Sequence, residues 1–340
     1  AVASTTRPAP LSDHPSSSTM ILRHRFLIPA ATLALALGSC SPRASDQSAV
    51  QRGDEAFALG NFDEALAEYR LAIRQGADDP SVTARVAHTY ALMNRVDDAG
   101  SYYVDAAARD PALVDQAVGD LMHLARKAWS TGDRFAMATA VETALGLRPG
   151  VGVGDMALPL ARHYFENGEY GRALPFYEKA MAEAADSVPE IVFEVGVAHD
   201  EIGDCEHALV FFERFREMVR PWEQGEVDWY IGRCAFNLAR QLRDRSHSAS
   251  PVRAAEELEE ALQLVNRTVE VGEPRNLQAQ AWFEKGEILA EMGDCEAAME
   301  AYSQVRYADQ AGALIDRAQS RFDEVYFGRG LEHLRDGRCR

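Results

Sequence analysis

The sequence predicts an all-α protein, a stack of about seven helical hairpins that ends in capping helices. Alanine, glutamate, arginine and leucine are abundant, whereas the alternating runs of valine, isoleucine and threonine that favour strands are scarce. A pattern of turn residue, alanine and aromatic residue recurs at intervals of 34 to 38 residues, and proline falls between successive copies. The chain has 340 residues. Since one hydrophobic core rarely serves more than about 250–300 residues, this length implies two domains or an elongated array.

The first part of the chain is interpreted as an export signal rather than as part of the fold. Basic residues at 23–25 precede an apolar run at 26–37, which is too short to span a bilayer, since a spanning helix needs about 20 apolar residues. Met20 would begin a signal of normal length, covering residues 20–39. We therefore interpret residues 1–19 as an upstream start-site artefact.

The end of this segment, Leu37-Gly38-Ser39-Cys40, resembles the lipobox of bacterial lipoproteins. In that family the signal is cut before the cysteine, whose thiol carries diacylglycerol. The resemblance implies that Cys40 is the lipid anchor and that residues 40–48 form a lipidated tether. Ser41 follows in place of the aspartate that retains enterobacterial lipoproteins in the inner membrane. We expect an exported protein at the periplasmic face of the outer membrane; the alternative is an ordinary signal peptide with an incidental cysteine.

Residues 49–306 carry the repeat. The turn residues of its copies are Gly60, Asn94, Gly132, Gly168, Gly203 and Gly293. In the first copy, Ala65 and Tyr69 follow the turn. Each unit is predicted to be two antiparallel helices, because the turn residue closes the first helix, the small alanine allows close approach and the aromatic ring fills the gap.

The last part of the array is less regular. A degenerate copy passes through Ala261, Val265 and Thr268. Residues 244–250 before it are predicted to form an exposed loop between two lengthened helices. Residues 307–340 are expected to supply capping helices and a tail.

The pattern of residues 49–306 resembles the tetratricopeptide repeat family, although single copies lack its full Trp–Leu–Gly–Tyr pattern. The positions that match its close-contact glycine and its terminal proline are Gly53, Gly196, Gly232, Gly286, Pro111 and Pro149. The resemblance implies a right-handed superhelical solenoid in which the first helix of each unit lines a concave groove that binds proteins or peptides.

Similarity to the family also names candidate groove residues. They are aromatic residues and arginines on the predicted first helices, namely Arg126, Trp129, Arg162, Phe165, Phe193, Trp229, Arg233, Phe236 and Phe283. Aromatic and arginine side chains are the usual anchors of interfaces, so we expect a groove for an extended or helical peptide that bears carboxylates. The alternative is that many of these aromatic residues pack between helices as core. The lysine and asparagine pattern of the chaperone-type carboxylate clamp is absent, so no chaperone-tail ligand is inferred.

Four cysteines follow Cys40, and an exported location favours disulfides. Cys205 and Cys295 occupy the same place in their repeats and lie more than two units apart, beyond the roughly 7 Å limit between bridged Cα atoms. Cys234 and Cys339 each follow Gly-Arg. We therefore favour the pairs Cys205–Cys234 and Cys295–Cys339, and the alternative is free buried thiols.

The net charge and the sequence motifs narrow the range of functions that the protein could have. The formal net charge of −18 repels phosphate backbones, so nucleic acid is not an expected partner. The densest group of metal-ligand types is His199, Asp200, Glu201, Cys205 and His207, but it lacks the paired spacing of zinc sites. No metal, cofactor, catalytic residue or enzymatic activity is predicted.

Together these features predict a membrane-tethered scaffold that mediates protein–protein interactions in the bacterial cell envelope. Its expected partners are other envelope proteins or peptides, and its lipid anchor holds it at the membrane. The alternative is an accessory subunit of an envelope enzyme or of an outer-membrane assembly or secretion complex.

Overall fold

A computed structural model describes residues 48–183, 188–309, 311–328 and 339. These residues belong to one compact unit, Gln47–Arg340. The regular secondary structure of this part of the chain is helical throughout, which confirms the predicted all-α class. The signal segment, the lipidation at Cys40 and the start-site interpretation fall outside the described residues, as does all of the tether except Ser48.

Fourteen α-helices pair into seven successive hairpins, and a fifteenth packs against the last of them. The hairpins are α1 (Ala49–Ala58) with α2 (Phe62–Arg74), α3 (Pro80–Leu92) with α4 (Val96–Arg109), α5 (Val114–Ser130) with α6 (Arg134–Leu147), α7 (Ala157–Glu166) with α8 (Tyr170–Glu183), α9 (Pro189–Glu201) with α10 (Cys205–Met218), α11 (Gly225–Ser246) with α12 (Pro251–Val271), and α13 (Arg275–Met292) with α14 (Cys295–Ala308). Helix α15 (Ile315–Gly328) follows, and short 3-10 turns at Pro111–Leu113, Gly154–Met156 and Pro221–Glu223 join successive units.

The turns inside the hairpins have the backbone conformation that the sequence predicts. All six predicted turn residues have positive φ, from 58° at Asn94 to 87° at Gly293. Glycine adopts this left-handed region without steric cost, and asparagine tolerates it better than most residues. Asp133 and Asp294 then cap the second helix by accepting a hydrogen bond from the backbone N–H three residues on.

Close packing within each hairpin depends on the small residues. Tyr69 is buried, and a Cβ atom on Gly53 would lie 2.6 Å from its ring. Gly286 faces Tyr302 in the same way, at 2.5 Å. Since real Cβ contacts are longer than this, these positions require glycine, as predicted. The Tyr302 hydroxyl donates a hydrogen bond of 2.7 Å to Glu287, so the buried phenol is satisfied.

The sixth hairpin departs from the pattern. Helices α11 and α12 have 22 and 21 residues, which confirms the predicted lengthening. Here Gly232 faces the backbone carbonyl of Glu273 rather than an aromatic ring, and Thr268 donates to the Gly232 carbonyl at 3.2 Å. The loop predicted at 244–250 was placed too early. Helix α11 continues to Ser246, whose hydroxyl donates to the Arg243 carbonyl, and only residues 247–250 connect the helices.

The structure joins the cysteines in the two favoured pairs. The Cα atoms of Cys205 and Cys234 lie 5.2 Å apart, and those of Cys295 and Cys339 lie 5.5 Å apart. The first disulfide fastens α10 to α11. The second fastens α14 to residue 339, whose N–H also donates to the Ala290 carbonyl at 2.9 Å. Both disulfides therefore link consecutive parts of the array.

One apolar core runs through the first hairpins as far as α9, and smaller clusters continue it towards α15. Within the described residues, no helix has the length and apolar character needed to cross a membrane.

Candidate peptide-binding site

A cleft of about 530 Å³ lies between α11, α13 and the chain that leads into α15. Its floor contains Phe236 of α11 and Phe283 of α13, which are only 4% and 6% exposed. Both rings belong to apolar core clusters, so the floor is fixed by the packing of the two helices. Asn276 and Gln280, one turn apart on α13, add amide groups to the lining.

Two arginines stand over this aromatic floor. The guanidinium carbon of Arg317 lies 4.6 Å from the centroid of the Phe283 ring, and that of Arg240 lies 5.9 Å from the Phe236 ring. Both side chains are exposed, and neither forms an ion pair with another residue of the described chain. Cation–π attraction favours a guanidinium at these positions, and its N–H groups can still donate to a ligand.

Arg243, deeper in the same cleft, is engaged by the protein itself. It pairs with Glu284 at 2.9 Å, Glu287 at 3.1 Å and Glu291 at 2.9 Å. Burial acts to lower the pKa of Arg243, but the hydrogen bonds to Glu291 and Glu284 outweigh it and raise the pKa overall. Arg243 is therefore a permanent cation that holds α11 against α13.

Glu287 anchors the other side of this cluster. Burial tends to raise its pKa, yet the hydrogen bonds from Tyr302 and Arg321 lower it on balance. Arg321 lies in α15 and donates to Glu287 at 2.6 Å. The cluster thus ties α15 to the hairpins before it and places Arg317, one turn earlier, at the rim of the cleft.

The segment between α14 and α15 is organised by Asp309. Its carboxylate accepts backbone N–H groups from Ala311 at 3.2 Å, Gly312 at 2.9 Å and Leu314 at 2.6 Å. Asp309, Ala311 and Leu314 also line the cleft. Three hydrogen bonds to one carboxylate define this wall before any ligand arrives.

The structure brings only two of the nine predicted groove residues, Phe236 and Phe283, into this cleft. Arg126, Trp129 and Trp229 are exposed on α5 and α11, outside it. Phe165 and Phe193 are half-buried and pack against neighbouring rings, which matches the alternative reading of such residues as core.

Two predicted arginines are already paired within the protein. Arg162 binds Glu194 at 3.1 Å, and Arg233 pairs with Asp200 while stacking 4.7 Å from the Trp229 ring. Of the three predicted arginines, these two therefore already have carboxylate partners within the described chain.

Arg240 and Arg317 were missed by the sequence analysis. Arg240 could have been found, because it follows Phe236 by one helical turn on the same face. Arg317 carries no such signal. It lies beyond the repeat, and its place over Phe283 depends on the turn at Asp309.

Comparison with known families identifies the repeat. The sequence pattern of the tetratricopeptide repeat matches residues 50–113 and 252–313. The chain is similar to the tetratricopeptide repeat in these two segments. The first segment covers the first two hairpins, and the second covers most of the last two, so the matches lie at the two ends of the array. The second segment includes α13 and the Asp309 turn of the cleft.

Among curated proteins, no sequence matches the chain. Solved structures with detectable likeness include the C-terminal part of a tetratricopeptide-repeat protein from Cytophaga hutchinsonii, at 15% identity, covering 78% of this chain and 97% of that one, with a TM-score of 0.32. A repeat protein from Parabacteroides merdae has 13% identity, coverage of 81% and 97%, and a TM-score of 0.27. YrrB, described as having an unusual peptide-binding site, has 17% identity, coverage of 64% and 97%, and a TM-score of 0.31.

Proposed function

We propose that this protein is a membrane-tethered scaffold of the bacterial cell envelope, which binds an extended, carboxylate-bearing segment of a partner protein in the cleft between α11, α13 and α15. One observation carries the proposal. Arg240 and Arg317 lie over two buried phenylalanine rings, and neither is ion-paired within the described chain.

The chemistry of the cleft favours a peptide with acidic side chains or a free carboxyl end. Guanidinium groups recognise carboxylates through paired N–H donors, and the rings beneath them offer apolar contact to the adjoining side chain. The amides of Asn276 and Gln280 can both donate and accept, as an extended peptide backbone requires. We propose binding without turnover, in keeping with the repeat architecture.

The envelope location rests on the sequence. The basic residues, apolar run and lipobox-like ending at Cys40 favour export and lipid attachment. Two disulfides favour an oxidising compartment. A lipid anchor would hold the cleft near the membrane and so raise the local concentration of partners that share that surface.

The binding proposal is tested with a fluorescein-labelled peptide rich in glutamate and leucine, titrated by fluorescence anisotropy, and with the matched peptide that carries glutamine instead of glutamate. Arg240→Gln and Arg317→Gln should each weaken binding of the acidic peptide by about tenfold or more, since a charged hydrogen bond contributes roughly 1.5–3 kcal/mol. Arg70→Gln, which changes an exposed arginine of α2 outside the cleft, is the matched control and should leave binding unchanged.

Equal binding of the acidic and neutral peptides, or an equal loss of binding in Arg70→Gln, would exclude the cleft as a carboxylate site. The tether is tested separately by incorporation of labelled lipid in a bacterial host. Lipid incorporation should disappear in Cys40→Ala, and its survival in that variant would refute the anchor.

A further inference from the structure

The turn between α9 and α10 brings two histidines and one aspartate together. The Nδ1 atom of His199 lies 3.2 Å from the Oδ2 atom of Asp204, and the Nδ1 atom of His207 lies 2.8 Å from the same oxygen. One ligand atom from each of the three residues lies within 4.8 Å of the other two. Each imidazole therefore presents its Nδ1 atom to the Asp204 carboxylate.

These side chains are held in place by the fold. Asp204 caps α10, and its Oδ1 atom accepts the backbone N–H of His207 at 3.2 Å. The His199 side chain is 15% exposed, and its ring stacks on Phe211 with a centroid distance of 5.5 Å and an interplanar angle of 11°. Only His207, at 66% side-chain exposure, has room to adjust. Two of the three groups are thus oriented before any ligand binds.

The turn itself does not require histidine. The turns capped by Asp133 and Asp294 have the same geometry, with a left-handed glycine before the aspartate and the same hydrogen bond to the third residue on. The positions that correspond to His199 and His207 hold Ala128 and Ala136 at the first of these turns, and Leu289 and Ala297 at the second. The histidines are therefore an addition to a turn that forms without them.

The distances suit a small transition-metal ion. Bonds of about 2.0–2.2 Å in tetrahedral geometry keep ligand atoms roughly 3.3–3.5 Å apart. The 3.2 Å separation of His199 and Asp204 is close to this range, and the exposed His207 ring would move outward from 2.8 Å to admit an ion. Imidazole suits Zn²⁺, Ni²⁺ and Cu²⁺, and two histidines with one carboxylate leave further positions for water. Glu206 lies next to His207 and adds negative charge near the site.

We propose that His199, Asp204 and His207 form a binding site for a divalent transition-metal ion, of the Zn²⁺ or Ni²⁺ class, at this turn of the array. His199 and His207 were named as possible ligands from the sequence, but no metal site was predicted because of their spacing. It corresponds to none of the usual zinc patterns, because the ligands come together through the left-handed turn at Gly203 rather than along one helix.

The test titrates ZnCl₂ and NiCl₂ into the full chain, kept oxidised so that both disulfides persist, and follows the heat of binding. One ion should bind per chain. Asp204→Asn best separates metal binding from folding. Asparagine stabilises a helix N-terminus about as well as aspartate does, but it lacks the charged carboxylate ligand. Asp204→Asn and His207→Ala should each weaken binding by about tenfold or more, the scale seen when metal-site groups are lost.

Two variants serve as matched controls, Asp294→Asn in the turn without histidines and His163→Gln near the preceding turn, and both should bind the ion as the unaltered chain does. Ring ¹⁵N shifts should show coordination through Nδ1. The proposal is overturned if no stoichiometric binding occurs, or if Asp204→Asn and His207→Ala bind as tightly as the controls. Every variant retains Cys40, so metal binding by the Cys40 thiol would be the same in all of them and would not weaken in Asp204→Asn and His207→Ala alone.

Discussion

Replacing Arg243 by alanine should destabilise the C-terminal part of the array by about 3 kcal/mol at neutral pH. The side chain is 15% exposed and pairs with three carboxylates, whose side chains are 11%, 9% and 2% exposed. Removing one partner from a buried ion pair typically costs about 3–5 kcal/mol, because the other charge stays buried without compensation.

The lower end of that range applies because two of the carboxylates keep other partners. Arg321 and Tyr302 still bind Glu287, and His247 still lies 3.1 Å from Glu291. Glu284 has no second ion pair among the residues that the structure describes. The main cost is therefore one carboxylate left unpaired beside the cleft.

The assay is urea denaturation followed by far-ultraviolet circular dichroism, at several pH values. The pKa of Glu287 is lowered in the folded chain, so its interactions stabilise the protein above the pKa of the unfolded chain and are lost as pH falls through the folded value. Arg243→Ala removes one of the cations that lower the pKa of Glu287, so less of this stabilisation is present in the variant and less of it is lost in acid. The difference from the unaltered chain should therefore be largest near neutral pH and shrink in acid.

Arg134→Ala is the matched control. It breaks a pair with Glu166 in which both side chains are more than half exposed, 55% and 57%, and exposed pairs contribute only about 0–1 kcal/mol. If Arg243→Ala cost no more than Arg134→Ala, or if its cost did not change with pH, the account of the buried cluster would be wrong.

Three further outcomes are expected. Gly286→Ala should cost about 1–3 kcal/mol, because its Cβ would lie 2.5 Å from a buried tyrosine ring, whereas Gly171→Ala, with nothing within 4 Å, should be neutral or slightly stabilising in the same denaturation assay. Cys339→Ser opens a disulfide of sequence separation 44 and should lower the free energy of unfolding by about 4 kcal/mol in the chain-entropy model; reductant should lower it further in the unaltered chain, because it also opens Cys205–Cys234. The hydrogen bond to Asp120 raises the pKa of His88 in the folded chain. The stability that this hydrogen bond adds is therefore fully present below the pKa of the unfolded chain and is lost as pH rises through the folded value. His88→Gln should reduce this dependence of the free energy of unfolding on pH.

The fold could be predicted from the sequence because its demands are local. A hairpin turn with positive φ accepts glycine or asparagine, so the residue types at Gly60 and Asn94 indicate the turn conformation. Contact between Gly53 and Tyr69 likewise requires a residue without a side chain. The loop at 244–250 was placed too early because the end of α11 is set by tertiary contacts, the anchoring of Arg243 by carboxylates of α13, and not by a local signal.

The site could be predicted only in part, since a binding surface depends on which charges remain unpaired after folding. Arg162 and Arg240 are alike in sequence, each on a first helix and near an aromatic residue. The structure separates them, because Glu194 from the next unit reaches Arg162, whereas no carboxylate of the described chain pairs with Arg240. An ion pair between residues more than 30 positions apart, such as Arg162 and Glu194, cannot be predicted from sequence spacing when the rotation of each helix about its axis is unknown.

This pairing also explains where a ligand can bind along the array. Ion pairs join the first helices of consecutive units at five places, Asp54–Arg85, His88–Asp120, Arg162–Glu194, Asp200–Arg233 and Arg243–Glu284. At each of these places the polar groups that could meet a peptide are occupied by the neighbouring unit, so a carboxylate ligand would have to displace an internal one. Arg240 and Arg317 fall outside this arrangement, because neither forms an ion pair with a carboxylate of the described chain. The cleft thus holds two cations without an internal partner over an aromatic floor, and this is the physical reason for placing partner binding there.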